Sequence, residues 1–398
     1  MNLTITPGFL QGRVNAMPSK SHAHRALICA TFADRPTKLL CRETNRDMEA
    51  TAQCLNALGA AITRTPEGYL VVPIQTVPKT AELHCRDSGS TLRFLLPLVG
   101  VLGIDALFHM DGRLPQRPLS PLWEEMERMG CILSRPTPTT LRCRGTLHSG
   151  CYRIPGNISS QYITGLLLAL IHPEGTSSIQ ISGRLESKPY VDLTLDTLRQ
   201  FGIQITIDHI PGKQRLISPE NLVIEGDWSN AAFFLAANAL GNNIDVSGLS
   251  RDSSQGDRQI LTLLPAFQDT PEISAVDIPD LIPILSVVAA AHRGALFTDI
   301  RRLRMKESDR VEAVIQMLHV LGGKAEAAEN TLRVYPTGCT GGTVESCNDP
   351  RIALSAAIAA TACKEPVTIL GAECVQKSYP RFWEEFKHLG GNYEQYIR

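Results

Sequence analysis

The chain has 398 residues, with 39 Lys plus Arg against 40 Asp plus Glu and a formal net charge of −1. That length exceeds the roughly 250–300 residues at which one hydrophobic core stops growing, so two domains are expected. Near-neutral charge gives no global field for nucleic acid or an anionic membrane, and an aromatic content of 6% offers few base-stacking platforms, so any anion site is local to a folded, soluble protein.

The opening MNLTITPGFLQGRV lacks a basic stretch followed by an apolar run, and no window approaches 18 uninterrupted apolar residues, so neither secretion nor a membrane span is expected. Eleven cysteines, odd in number and without a CxxC pair, point to inert reduced thiols in a cytoplasmic setting rather than a disulfide framework or zinc knuckle. From there one phrase recurs six times, once degraded: an amphipathic helix ending in an apolar residue plus glycine, then strand, turn and strand. The copies end at Leu58-Gly59, Met129-Gly130, Phe201-Gly202, Leu321-Gly322 and Leu389-Gly390, with the degraded one near Ala266-Phe267-Gln268. Glycine after the last apolar helical residue is the expected terminator. CILSRPTPTTLRCRG and IQITIDHIPGKQRLIS are read as strand, turn, strand.

Upstream of each copy lies a second, more apolar helix: HRALICATFA, STLRFLLPLVGVLG, SSQYITGLLLALI, SNAAFFLAANAL, DLIPILSVVAAA and PRIALSAAIAATA. Apolar nearly all the way round, these belong at the centre of a domain with sheets outside. Six α/β units fit two domains of three.

The residues before those helices are candidates for chemistry. PSKSHAHR carries Lys20, Ser21 and Arg25; DSGSTLR carries Asp87, Gly89, Ser90 and Arg93; GNISSQ carries Ser159, Ser160 and Gln161. Serines here are ordinary N-caps taken singly. Three such starts in equivalent repeats, each with a basic or amide partner, also suit anions at helix N-termini. RRLRMKESDR adds Lys306, Glu307 and Arg310, DPRIAL adds Arg351, and the proline-stiffened DGRLPQRPLSPL adds Arg113 and Arg117. His22-x-His24 lacks a second pair to complete a metal site, and neither GxGxxG after a strand nor GxxxxGK[ST] is present.

Together these motifs resemble the enolpyruvyl transferases, and among them the 5-enolpyruvylshikimate-3-phosphate synthase family, over essentially the whole chain. PSKSHAHRAL, DSGSTLRF, GRLPQRPLSPL, SSQYITGLLLAL, SKPYVDLTL, EGDWSNAAFFLAA, DIPD, LRMKESDR, DPRIAL and QKSYPRFW fall in that family's order. The resemblance implies an α/β fold: a two-domain inside-out α/β barrel, each domain three βαβαββ repeats with helices buried and sheets outside. Residues 1–13 and 227–398 would form the first, discontinuous domain and 14–226 the second, with the active site in the cleft between them.

The implied reaction is transfer of the enolpyruvyl group of phosphoenolpyruvate to the 5-hydroxyl of shikimate 3-phosphate, without metal or organic cofactor, in a cytoplasmic monomer with small-molecule substrates. By the same resemblance Lys20, Gly89, Arg117, Gln161, Arg310, Arg351 and Lys377 would bind phosphoenolpyruvate. Ser21, Arg25, Ser159, Ser160, Gln161, Ser187, Tyr190, Asp277 and Lys306 would bind shikimate 3-phosphate. Asp277 would be the hydroxyl base, and Glu307 with Lys20 would handle the methylene proton.

Three residues depart from the pattern: Asp87 replaces a common Asn, Pro350 a His and Arg302 an Asn. Asp87 reads as a helix cap or as a charge that lowers phosphoenolpyruvate affinity. Two other readings are kept: a transferase acting on UDP-N-acetylglucosamine, disfavoured because no Cys occurs in DGRLPQRPLSPL, and a non-catalytic anion-binding paralogue.

Overall fold

The computed structural model describes residues 1–396. They divide into two units, Met1–Met17 with the chain from Gly226 onward, and Pro18–Glu225. Strand Gln11–Asn15 pairs in parallel with Asn243–Ser247, which keeps the chain in the first unit until Met17, past the residue-13 crossing expected from the resemblance.

One repeat in each unit shows the plan. In Pro18–Glu225, strand Thr80–Arg86 runs through helix Gly89–Leu102 to strand Asp105–Met110, which lies parallel beside it. Helix Leu122–Arg128 then leads to Cys131–Ser134 and Thr140–Gly145, the latter antiparallel between Asp105–Met110 and Cys131–Ser134. In the other unit, Glu272–Ser274, Ile282–Ala291, Ala295–Thr298, Arg310–Val320, Ala325–Ala327 and Thr331–Val334 repeat the same order and pairings. A parallel pair needs a crossover, and here the crossover is the apolar helix, which covers the sheet's inner face.

Chain ends complete both units. Asn221–Val223 pairs in parallel with Thr37–Leu40, and Asn2–Thr6 lies antiparallel between Val367–Leu370 and Asn392–Tyr396. Among the described residues, each unit carries three sheets.

All six apolar stretches form helices, buried on nearly every side as their uniform apolarity requires. Trp228–Ala239, Ile282–Ala291 and Pro350–Ala360 pack pairwise in the core of the first unit. In Pro18–Glu225, helices Gly89–Leu102 and Ser160–Ala169 meet at Gly165, where a Cβ would stand 2.2 Å from the Arg93 carbonyl oxygen. The amphipathic helices end as expected: Gly59 and Gly130 take φ of 103° and 111°, and a Cβ on Gly130 would sit 2.4 Å from the Thr146 carbonyl oxygen. The degraded copy is a short 3₁₀ turn, Leu264–Gln268.

One expectation fails. Residues 203–218 form a single two-residue strand, Ile210–Pro211, rather than a hairpin. Pro211 has no N–H to extend the ladder, and Ile203 and Ile210 are buried in the core instead. Among the described residues, no helix is long and apolar enough to cross a membrane.

Candidate active site

In Pro18–Glu225 the three polar helix starts are each built on a serine cap. Ser19 Oγ accepts from His22 N at 3.3 Å, Ser88 Oγ from Thr91 N at 3.2 Å, and Ser159 Oγ from Gln161 N at 3.3 Å. Ser159 therefore does the ordinary capping work, and Ser88 rather than Asp87 is the second cap. Lys20 opens the first helix with its ammonium 3.0 Å from Asp47 Oδ2, a partner that sequence reasoning missed.

Gly89 is where two guanidinium groups converge. A Cβ there would meet Arg93 Nη1 at 2.5 Å and Arg117 Nη1 at 2.8 Å. Arg93 is fixed by donating to Gln161 Oε1 at 2.9 Å and to the Pro118 carbonyl at 3.0 Å; Gln161 Nε2 in turn donates to Ser90 Oγ at 3.0 Å. Arg117, Gln161 and Gly89 are thus brought together, with Arg93 as the positioning member. Two guanidiniums at a helix N-terminus, that of Arg93 fixed by these bonds, favour a phosphate or carboxylate.

Arg25 lies elsewhere. It is fully buried, donating from Nε to Thr194 Oγ1, from Nη1 to the Ser21 carbonyl, and from Nη2 to Thr164 Oγ1 and the Tyr190 carbonyl, with its guanidinium 5.0 Å from the Phe94 ring centre. Burial pulls its pKa down to about 9. These bonds spend most of its five donors on the core, so Arg25 ties Ser21 and Tyr190 into place. Ser187, buried before helix Lys188–Gln200, sits at φ 56°, ψ 39°, a left-handed conformation that costs on the order of 1 kcal/mol for a residue with a Cβ. His22 and His24 are buried core residues whose pKa values burial lowers to about 4 and about 3; His24 Nδ1 is 2.7 Å from Thr51 Oγ1.

The other unit concentrates charge of both signs. Arg310, buried at the start of helix Arg310–Val320, donates from Nη1 to Asp280 Oδ1 at 2.6 Å, from Nη2 to Glu307 Oε2 at 2.8 Å, and from Nε to Asp349 Oδ2 at 2.9 Å. Arg351 donates to Asn230 Oδ1 at 2.8 Å and stands 3.5 Å from Asp280 Oδ2, while the Lys306 ammonium is 3.8 Å from Asp280 Oδ1. Burial works against the Asp280 carboxylate, but Arg310, Lys306 and Arg351 together hold its pKa well below the usual range. Burial brings Lys306 down to about 8, with Asp280 opposing and Arg310 adding.

Asp280, not Asp277, is the DIPD carboxylate that these three cations hold. Asp277 lies three residues earlier, half-buried beyond strand Glu272–Ser274. The motif offers two acidic residues, and only the fold distinguishes them.

Asp349 caps helix Pro350–Ala360 through the Arg351 N–H at 3.0 Å and also accepts from Ser308 Oγ. Pro350 then occupies the first helical position, where a missing N–H costs nothing, so the fold absorbs this departure. Lys377 donates to the Asn348 carbonyl at 3.0 Å, and Cys347 and Asn348 both hold positive φ to present it. Arg302 is buried. Asp257, which sequence reasoning also missed, is 2% exposed; its Oδ2 accepts from Ser229 and its Oδ1 is buried without a hydrogen-bond partner. Burial, then the nearby Asp280 charge, raises its pKa to about 7.

The model of the family described as EPSP synthase (3-phosphoshikimate 1-carboxyvinyltransferase) matches residues 5–268 and 268–386. The chain belongs to the EPSP synthase family. A Clostridium kluyveri protein named 3-phosphoshikimate 1-carboxyvinyltransferase is 37% identical over 423 residues, covering 99% of this chain and 98% of that protein. The solved EPSP synthase of Acinetobacter baumannii superposes with a TM-score of 0.80 at 21% identity, over 100% of both chains. The enolpyruvyl transferase NikO of Streptomyces tendae reaches 0.78 at 17% identity, covering 99% of this chain and 98% of that one. These likenesses establish for this family member the inside-out α/β architecture expected from its repeats.

Proposed function

We propose that the protein transfers the enolpyruvyl group of phosphoenolpyruvate to the 5-hydroxyl of shikimate 3-phosphate, releasing phosphate. The observation that carries this reading is the end-to-end similarity to proteins of that named activity. The charge arrangement supports it. Both substrates are polyanions, and a nearly neutral chain gathers Arg93 and Arg117 around Gly89 in one unit and Lys306, Arg310 and Arg351 around Asp280 in the other.

Asp280 is assigned as the hydroxyl base in place of Asp277. Its three cations keep it ionised, hence able to accept a proton, and substrate anions approaching those cations weaken their hold and raise its basicity. In the addition, the 5-hydroxyl proton passes to Asp280, the oxygen attacks C2 of phosphoenolpyruvate, and Glu307 protonates the methylene carbon C3. In the elimination, Glu307 takes a proton back from C3, the double bond re-forms, and phosphate leaves with the proton held by Asp280. Lys20 is assigned to bind phosphoenolpyruvate. Arg117, Gln161, Arg310, Arg351 and Lys377 are assigned to phosphoenolpyruvate. Ser21, Ser159, Ser160, Ser187, Tyr190 and Lys306 go to shikimate 3-phosphate, with Arg25 positioning Ser21 and Tyr190. The protein acts as a monomer in the cytoplasm.

The experiment is phosphate release from phosphoenolpyruvate with shikimate 3-phosphate or UDP-N-acetylglucosamine as acceptor, with the product identified by mass. Release dependent on shikimate 3-phosphate, giving the enolpyruvyl ether, supports the proposal; release only with the sugar nucleotide, or with neither, overturns it.

A further inference from the structure

Apart from the residues discussed above, one cluster among the described residues carries metal-ligating chemistry. Glu82 and His84 lie two apart on strand Thr80–Arg86 and so share a face. His109, on the parallel strand Asp105–Met110, stands directly opposite His84 in the register. Buried Leu83, Cys85 and Phe108 alternate with them, which turns all three side chains to the solvent face of the sheet. One ligand atom from each lies within 4.8 Å of the other two. His109 Nε2 is 3.2 Å from Glu82 Oε2, and the two imidazoles stack with ring centres 4.4 Å apart at 9°.

Zinc bound at about 2.0–2.1 Å in a tetrahedron places its ligand atoms about 3.3–3.4 Å apart. The His109–Glu82 separation already matches one such edge. Stacked rings aim their lone pairs along parallel planes, so binding must tilt His84 and His109 until both point at one ion. Glu82 and His84 are exposed and His109 is 31% exposed, so the core does not resist that rotation. Arg142 on the adjoining strand is tied to Asp105 by bonds of 2.8 and 2.6 Å, which neutralises the guanidinium on this face.

We propose that Glu82, His84 and His109 form a surface site for a divalent transition-metal ion of the imidazole-preferring class, such as zinc, with the fourth position left to water or to a side chain of another molecule. Two imidazoles and a carboxylate suit this class and not magnesium or calcium, which prefer all-oxygen shells. The site takes no part in the reaction proposed above, so its test stands apart from that reading.

The test is calorimetric titration of zinc chloride into the untagged full-length chain carrying Cys151→Ser, because Cys151 is an exposed thiol that would compete. One saturable site is expected, weakened more than about tenfold by His84→Ala or His109→Ala and less by Glu82→Gln, in line with the loss of a ligand. His84→Asn and His109→Asn, checked by circular dichroism, serve if an alanine variant fails to fold. Absence of saturable binding in the parent, or binding unchanged in the histidine variants, overturns the proposal.

Discussion

Gly89→Ala isolates the guanidinium pair from the rest of the protein. The added methyl would lie 2.5 Å from Arg93 Nη1 and 2.8 Å from Arg117 Nη1, so at least one guanidinium must move. Arg93 is anchored to Gln161 and Pro118, so displacing either guanidinium disturbs the anion contacts at Gly89. The displaced atoms are side-chain ends, so folding survives, and alanine in a helical position adds up to about 1 kcal/mol of stability over glycine. The loss falls on the bound anion: one charge-assisted hydrogen bond, about 1.5–3 kcal/mol. At about 1.36 kcal/mol per decade, that raises KM for phosphoenolpyruvate about 10- to 150-fold. KM for shikimate 3-phosphate should change far less. Steady-state kinetics with each substrate varied in turn, beside a urea unfolding curve, reads both quantities. A rise in phosphoenolpyruvate KM below about threefold, equivalent to roughly 0.6 kcal/mol, would refute the placement of an anion at Gly89.

Asp349→Ala should destabilise the protein by about 3–5 kcal/mol, because it removes a helix cap and leaves buried Arg310 short of a partner; urea unfolding checks it. Asp257 keeps its proton to about pH 7 when folded but loses it near pH 3.8 when unfolded, so it subtracts stability as pH rises between those values. Each pH step of one within that window costs the parent about 1.4 kcal/mol, so Asp257→Asn should gain on it by a few kcal/mol between pH 5 and about pH 7 and hold that gain above. Urea unfolding across this range checks it, and a pH-independent difference would contradict it. Lys306 loses its charge as pH rises through about 8, so kcat/KM for shikimate 3-phosphate should fall above that pH, and Lys306→Arg, charged throughout, should remove that limb from the profile.

Much of the architecture was readable because one signal was strong and repeated. Six helices apolar on every side could only be interior, and glycines such as Gly59 and Gly130 marked where the outer helices stop. Residues 203–218 misled because Ile203, Ile205 and Ile207 alternate like a strand while Pro211 and Gly212 interrupt the ladder. At the site, residue types were legible but partnerships were not. Asp277 and Asp280 look alike in DIPD, and only the packing brings Arg310, Lys306 and Arg351 to the second. Arg25 looks like an anion ligand in the sequence, whereas in the fold its donors go to Thr164, Thr194 and two carbonyls. Asp349 could have been found, since Asp before Pro is a helix-start signature. Asp47 and Asp257 had no such signal, because their roles depend on neighbours far away in sequence.

The assignment of Asp280 as the carboxylate that takes the hydroxyl proton is tested most directly by comparing Asp280→Asn with Asp277→Asn in shikimate 3-phosphate-dependent phosphate release. Loss of a positioned base lowers kcat by about 10²- to 10⁴-fold in Asp280→Asn, while Asp277→Asn keeps turnover within about tenfold of the parent. The reverse order, or equal turnover in the two variants, would contradict the account.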